Sequence, residues 1–148
     1  MTRSILFLLC ALMLAAGAMG ASDDDAEARK TALALAGAFS NDGFKIRDGN
    51  WTGTIHPKDT LLIQVHLYAG NQYWFTVGAS GKAKKLSVSV FDETGALVQS
   101  DAYEDAGKTG EGPKAAAGFA PGISGPYYVR IKETEGEAAS FSFIYSYK

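Results

Sequence analysis

After Asn41-Asp42-Gly43 the apolar residues of this chain change from a helical period to a period of two, and they keep that period to the end. This one switch leaves few folds open. Leu61, Ile63, Val65 and Leu67 alternate with Leu62, Gln64, His66 and Tyr68, and then Tyr73, Phe75 and Val77 alternate with Trp74 and Thr76. Ala69-Gly70-Asn71 between them reads as a short hairpin loop. Leu86, Val88 and Val90 alternate with Ser87 and Ser89, and Asp92-Glu93-Thr94-Gly95 turns the chain into a further strand over residues 96–100. Tyr127, Val129 and Ile131 alternate with Tyr128, Arg130 and Lys132. After a Glu135-Gly136-Glu137 turn, Phe141, Phe143, Tyr145 and Tyr147 stand opposite Ser140, Ser142, Ile144 and Ser146. Shorter strands are expected at residues 44–47, Trp51–Ile55 and Lys114–Phe119.

Seven to nine short strands divided by Gly-rich or acidic turns describe an all-β chain, an antiparallel β-sandwich of jelly-roll-like form. Crossover helices are missing, which excludes a parallel α/β sheet. The polar stretch at residues 103–113 (YEDAGKTGEGP) is expected to wrap from one sheet to the other as an exposed loop.

Upstream of the switch, residues 22–39 favour one short helix. They are Ala-rich and acidic in the first turn, with Ser22 and Asp25 spaced as a capping box, and Ala34, Leu35 and Phe39 can share one side. Before that, residues 1–20 hold Arg3, an apolar run of about a dozen residues and a small-residue end at Ala18-Met19-Gly20. That is the layout of a secretory signal peptide, too short for the roughly 20 residues that span a bilayer. Three segments follow: a signal peptide at 1–20, a helical segment at 21–43 and the sandwich at 44–148. Cleavage would leave 128 residues without a cysteine, since Cys10 lies in the signal, and no membrane anchor. A periplasmic or secreted location is expected. The core must then supply the stability without disulfides, which this length permits.

The order of these features resembles the bacterial pre-peptidase C-terminal domain family. The matching stretches are Trp51-Thr52-Gly53-Thr54-Ile55, then Val65-His66-Leu67-Tyr68-Ala69-Gly70-Asn71-Gln72-Tyr73-Trp74-Phe75-Thr76-Val77. Val88-Ser89-Val90-Phe91-Asp92-Glu93-Thr94-Gly95-Ala96-Leu97-Val98 and Pro121-Gly122-Ile123-Ser124-Gly125-Pro126-Tyr127-Tyr128-Val129-Arg130-Ile131 continue it. The resemblance covers residues 44–148. It implies a jelly-roll-like sandwich that serves secretion, stability or substrate binding beside secreted peptidases and is not itself a catalyst. Calcium-binding relatives tend to carry acids where Ser87 and Ser89 stand, so no metal site comes with the resemblance.

The chemistry that the residues could support is narrow. With 14 Lys plus Arg against 16 Asp plus Glu and no basic run, nothing marks a nucleic-acid partner. His56 precedes a proline in a turn and His66 points outward from a strand, so neither is placed as the base of a nucleophilic triad. Gly107-Lys108-Thr109 lacks the upstream glycine of a phosphate loop, since position 102 is Ala102. Two candidate sites follow. Asp92, Asp101, Glu104 and Asp105 could offer hard oxygen ligands to calcium if the turn and the long loop meet. The outward residues His66, Tyr68 and Trp74 of the expected hairpin could stack on a sugar or grip a peptide, unless the N-terminal helix covers them.

The expected function is therefore that of a non-enzymatic secreted or periplasmic module binding a protein or a polysaccharide. The alternative is a calcium-stabilised accessory or inhibitor-like subunit of a secreted hydrolase. No cofactor other than calcium is implied, and the oligomeric state is left open.

Overall fold

The computed structural model describes residues 22–47 and 49–148. The signal-peptide reading of residues 1–20 lies outside them. The helix comes first, α1 (Asp23–Asn41), followed by nine strands: β1 (Lys45–Ile46), β2 (Trp51–Ile55), β3 (Thr60–Leu67), β4 (Tyr73–Ala79), β5 (Ala83–Phe91), β6 (Asp101–Asp105), β7 (Lys114–Phe119), β8 (Gly125–Gly136) and β9 (Ala139–Tyr147). All named strand pairs are antiparallel. A large sheet runs β1-β9-β4-β7-β6, with β2 also on β9, and a small sheet runs β3-β8-β5. The described residues form an antiparallel β-sandwich with one helix before it.

The core is the set of inward rows that the alternation marks. Phe75, Val77, Phe143 and Tyr145 from the large sheet meet Val65, Leu67, Val88, Val90, Val129 and Ile131 from the small one. Apart from β1–β2 and β6–β7, each connection passes from one sheet to the other. One expectation fails for this reason. β3 and β4 do not form a hairpin: β3 pairs with β8, while β4 lies between β7 and β9. Alternation fixes which face a residue is on, but not which strand lies beside it. The link over Ala69-Gly70-Asn71 is held by the Tyr73 hydroxyl, which takes the Tyr68 N–H at 2.9 Å and the Asn71 amide at 3.2 Å.

The acidic turn leads not to a strand at 96–100 but to a single bridge, Phe91 to Leu97, and the strand follows at β6. The stretch 103–113 starts as strand, its first three residues closing β6. Its remainder joins β6 to β7 inside the large sheet instead of wrapping between sheets. Pro113 is buried there and its carbonyl accepts the Ala79 N–H at 3.0 Å.

The helix starts as its sequence says: Ser22 caps it, and the capping box with Asp25 is complete. Its buried stripe is Ala28, Ala32, Leu35 and Ala36, while Ala34 is exposed. That stripe lies on the outer face of the large sheet, where Ala32 and Ala36 meet Ile144. Small residues let the backbones come close. A Cβ at Gly78 would stand 2.9 Å from Ala32 Cα, closer than real side chains approach. The hydroxyls of Thr76, Ser142 and Ser146 are buried beneath the helix without a hydrogen-bond partner. This layer therefore gains from contact and costs in desolvation. Glu27 and Asp24 fasten the helix start to the β4–β5 turn, through the Gly81 N–H at 3.2 Å and Lys82 at 2.6 Å.

Glu133 is the exception in the core. It continues the inward row Tyr127, Val129, Ile131 on β8, is 2% exposed, and neither of its carboxyl oxygens has a partner. Burial pushes its carboxyl above the usual carboxylate range, and nearby His56 pulls it partly back. The folded protein thus holds a proton that the unfolded chain gives up sooner. This contribution to stability is complete below the unfolded value and is lost as pH rises through the raised folded one.

Two outcomes are expected. Glu133→Gln, which removes the titration, should leave stability near wild type in acid and raise it by about 1 kcal/mol at about pH 8, as thermal melts across pH would show. Gly78→Ala should cost about 1–3 kcal/mol by pushing the helix off the sheet, with faster amide exchange in residues 28–36 as the local sign.

Candidate functional site

The sandwich has two outer faces, and the helix takes one of them. Trp74 is on the covered face. Its indole stacks on Phe39 with centroids 4.2 Å apart and planes 6° from parallel, and Gly118 lies against the same ring, where an added Cβ would come within 2.9 Å of it. What is left of Trp74 lines a pocket of about 300 Å³ with Phe44, Gln72, Asp101 and Phe119. The expected grouping of His66, Tyr68 and Trp74 is thus divided. β3 and β4 belong to opposite sheets, so their outward residues face opposite sides of the molecule.

His66 and Tyr68 stay together on the uncovered face, outside the small sheet, with their rings 5.1 Å apart edge to face. The register shows what stands beside them. Gln64 is next to Tyr128, which is next to Phe91; Leu62 is next to Arg130, which is next to Ser89; His66 is next to Pro126. The Arg130 guanidinium sits over the Phe91 ring at 4.7 Å, which holds a long cation flat against the sheet. Tyr68 is 53% and Leu62 61% exposed. At the end of the sheet nearest His66, the β5–β6 turn and the β7–β8 connection enclose a pocket of about 220 Å³ lined by Asp92, Thr94, Ile123, Ser124 and Pro126. Ser124 holds this corner by accepting the Ala69 N–H at 2.9 Å.

Sequence reasoning missed that Tyr128 and Arg130 stand beside Gln64 and Leu62 in the row that His66 continues, with Phe91 beyond Tyr128. Their alternation with Val129 and Val90 already marked them as outward, and only the strand pairing was lacking.

The four acids considered for calcium are not gathered into one group. Among the described residues, no set of three or more His, Cys, Asp or Glu side chains is placed to hold a metal ion. Asp92 binds its own turn: its Oδ1 accepts the Thr94 hydroxyl at 2.6 Å and the Thr94 and Ala96 N–H groups at 2.9 and 3.1 Å. These bonds, the Thr94 hydroxyl first, hold its carboxyl below the usual range. Asp101, Glu104 and Asp105 are all on β6, where period two sends Glu104 to the face opposite the other two. Asp105 accepts the Gly107 N–H at 2.8 Å and lies 3.7 Å from Lys114, and the Gly107 bond is the larger cause of its lowered pKa.

His56 pairs with Asp59 at 3.2 Å in the β2–β3 turn, with both side chains more than half exposed. Among the described residues, no Asp or Glu lies within ion-pair distance of His66 to orient it as a base. No family model matches the chain, and no curated protein matches it in sequence.

Trp74→Ala is expected to act on stability and not on a ligand. It should cost about 2–3 kcal/mol in denaturant unfolding through the lost Phe39 stack, and leave partner binding by the folded fraction unchanged.

Proposed function

We propose that this protein is a non-enzymatic binding module, secreted or periplasmic, whose outer small-sheet face takes a protein or polysaccharide partner. The observation behind it is the uncovered row of Leu62, Gln64, His66 and Tyr68, flanked by Tyr128 and Arg130, on the one sheet face that the helix leaves open. Tyrosine and arginine on a rigid sheet give large contact area at low entropic cost, and they are the residue types that dominate binding hot spots. The aliphatic Leu62 beside Arg130 favours a protein partner over a glycan, since a sugar has no aliphatic chain to bury there. The resemblance of residues 44–148 to pre-peptidase C-terminal domains supports a binding role, and the layout of residues 1–20 supports export.

Capture from a periplasmic and secreted extract tests the reading, run beside pelleting with insoluble cell-wall glycans. Wild type should retain a partner, whereas Tyr68→Ala and Arg130→Ala should each weaken retention about tenfold or more with unchanged melting. Equal retention by wild type and both variants would place binding elsewhere. Turnover of ester, peptide or glycoside substrates that is lost on changing His66 would overturn the non-enzymatic reading.

A further inference from the structure

Among the described residues the small sheet ends on one side in β3, and that strand carries none of the residue types that keep sheet edges apart. Its eight residues, Thr60 to Leu67, include no Lys, Arg, Asp, Glu, Pro or Gly, and their register with β8 is unbroken from Thr60–Lys132 to Leu67–Gly125. The other edges are blunted. β5 has register shifts between Ala83 and Leu86 and is capped where the Val98 N–H bonds the Val90 carbonyl. β6 carries three acids in five residues, and β2 is five residues long with Gly53 at its centre. An uncovered, neutral, regular edge strand is a template for another strand.

A second observation points to what is missing. On β3 the inward residues Val65 and Leu67 are fully buried, but Leu61 and Ile63, which face the same core, are only partly covered. A strand laid along the free edge would cover them, as β8 covers the inward residues on its own side. The inward residues of β8 and β5, by contrast, are all buried.

We infer that β3 pairs antiparallel with β3 of a second copy of this chain. Neutrality selects this occupant. A chain with 30 charged residues among 148 has kept all of them off this strand, so two copies meet with no like-charge repulsion. The pairing is isologous, because the same residues serve both sides of a two-fold axis, and it closes at the dimer. It makes one continuous sheet in the order β5-β8-β3-β3-β8-β5. A two-fold axis normal to that sheet puts both copies of His66, Tyr68, Tyr128 and Arg130 on the same side, so a repetitive or dimeric partner would be held at two points. The dimer stands on the edge and the half-covered core residues, independently of any ligand on the face.

Sedimentation equilibrium of the purified protein over a wide concentration range is the test, with amide exchange read at the two ends of that range. A concentration-dependent dimer is expected, with slower exchange in residues 60–67 at high concentration. The double variant Leu62→Lys, Gln64→Lys changes two exposed outward positions and should keep the melting temperature while weakening dimerisation by at least about tenfold. A wild type that stays monomeric throughout would overturn the inference. So would a dimer that the double variant leaves intact, since the contact would then lie elsewhere. Loss of partner capture by Tyr68→Ala in a protein that still dimerises, or the reverse, separates this inference from the binding reading.

Discussion

The closeness of α1 to the large sheet, set where Ala32 rests on Gly78, decides the rest of the molecule's surface. Alanine on the helix and glycine on the strand allow backbones so near. The contact area that results has to outweigh three hydroxyls buried without partners. It does so because the helix is also fastened at its start, by Glu27 and Asp24, and toward its end by the stack of Phe39 on Trp74. Once one outer face is closed in this way, the other becomes the place where a partner can sit.

The connections between strands have an equally large effect. Because the chain passes from sheet to sheet at nearly every turn, neighbours in sequence become opposites in space. His66 and Trp74, eight positions apart, end on the two outer sides of the sandwich. His66 and Pro126, far apart in sequence, become strand neighbours. The same connectivity leaves β3 at the end of the small sheet, with a bare backbone edge and two half-covered core residues. Glu133 shows the cost of a strand that keeps its inward row going past the apolar residues: its carboxyl enters the core and stays uncharged more readily than a solvated one.

Much of the fold was legible in the residues. The period of two marked the inward rows of β3, β4, β5, β8 and β9 correctly, because one buried face per strand is a local demand that each residue meets separately. The Ser22 and Asp25 capping box likewise marked the helix start, since cap and N–H groups lie within one turn. The strand β6 was misplaced to residues 96–100. Its own residues, Asp101 to Asp105, include three acids and are mostly exposed, and it is a strand only because β7 pairs with it. The site was half legible: His66 and Tyr68 were outward as expected, while Tyr128 and Arg130 came onto the same face, beside Gln64 and Leu62, through pairing alone.

By itself the sequence determined the class of fold, the faces of its strands and the helix boundaries, because period, capping and turn chemistry act over a few residues. It left open whether the helix would shield the aromatic outward residues or leave them free. The tertiary structure decided that question both ways, covering Trp74 and exposing His66 and Tyr68. It also decided which acids meet, which strand ends a sheet and which carboxyl is buried. Those outcomes depend on pairings between residues tens of positions apart, and loop closure and core packing settle such pairings jointly, not one residue at a time.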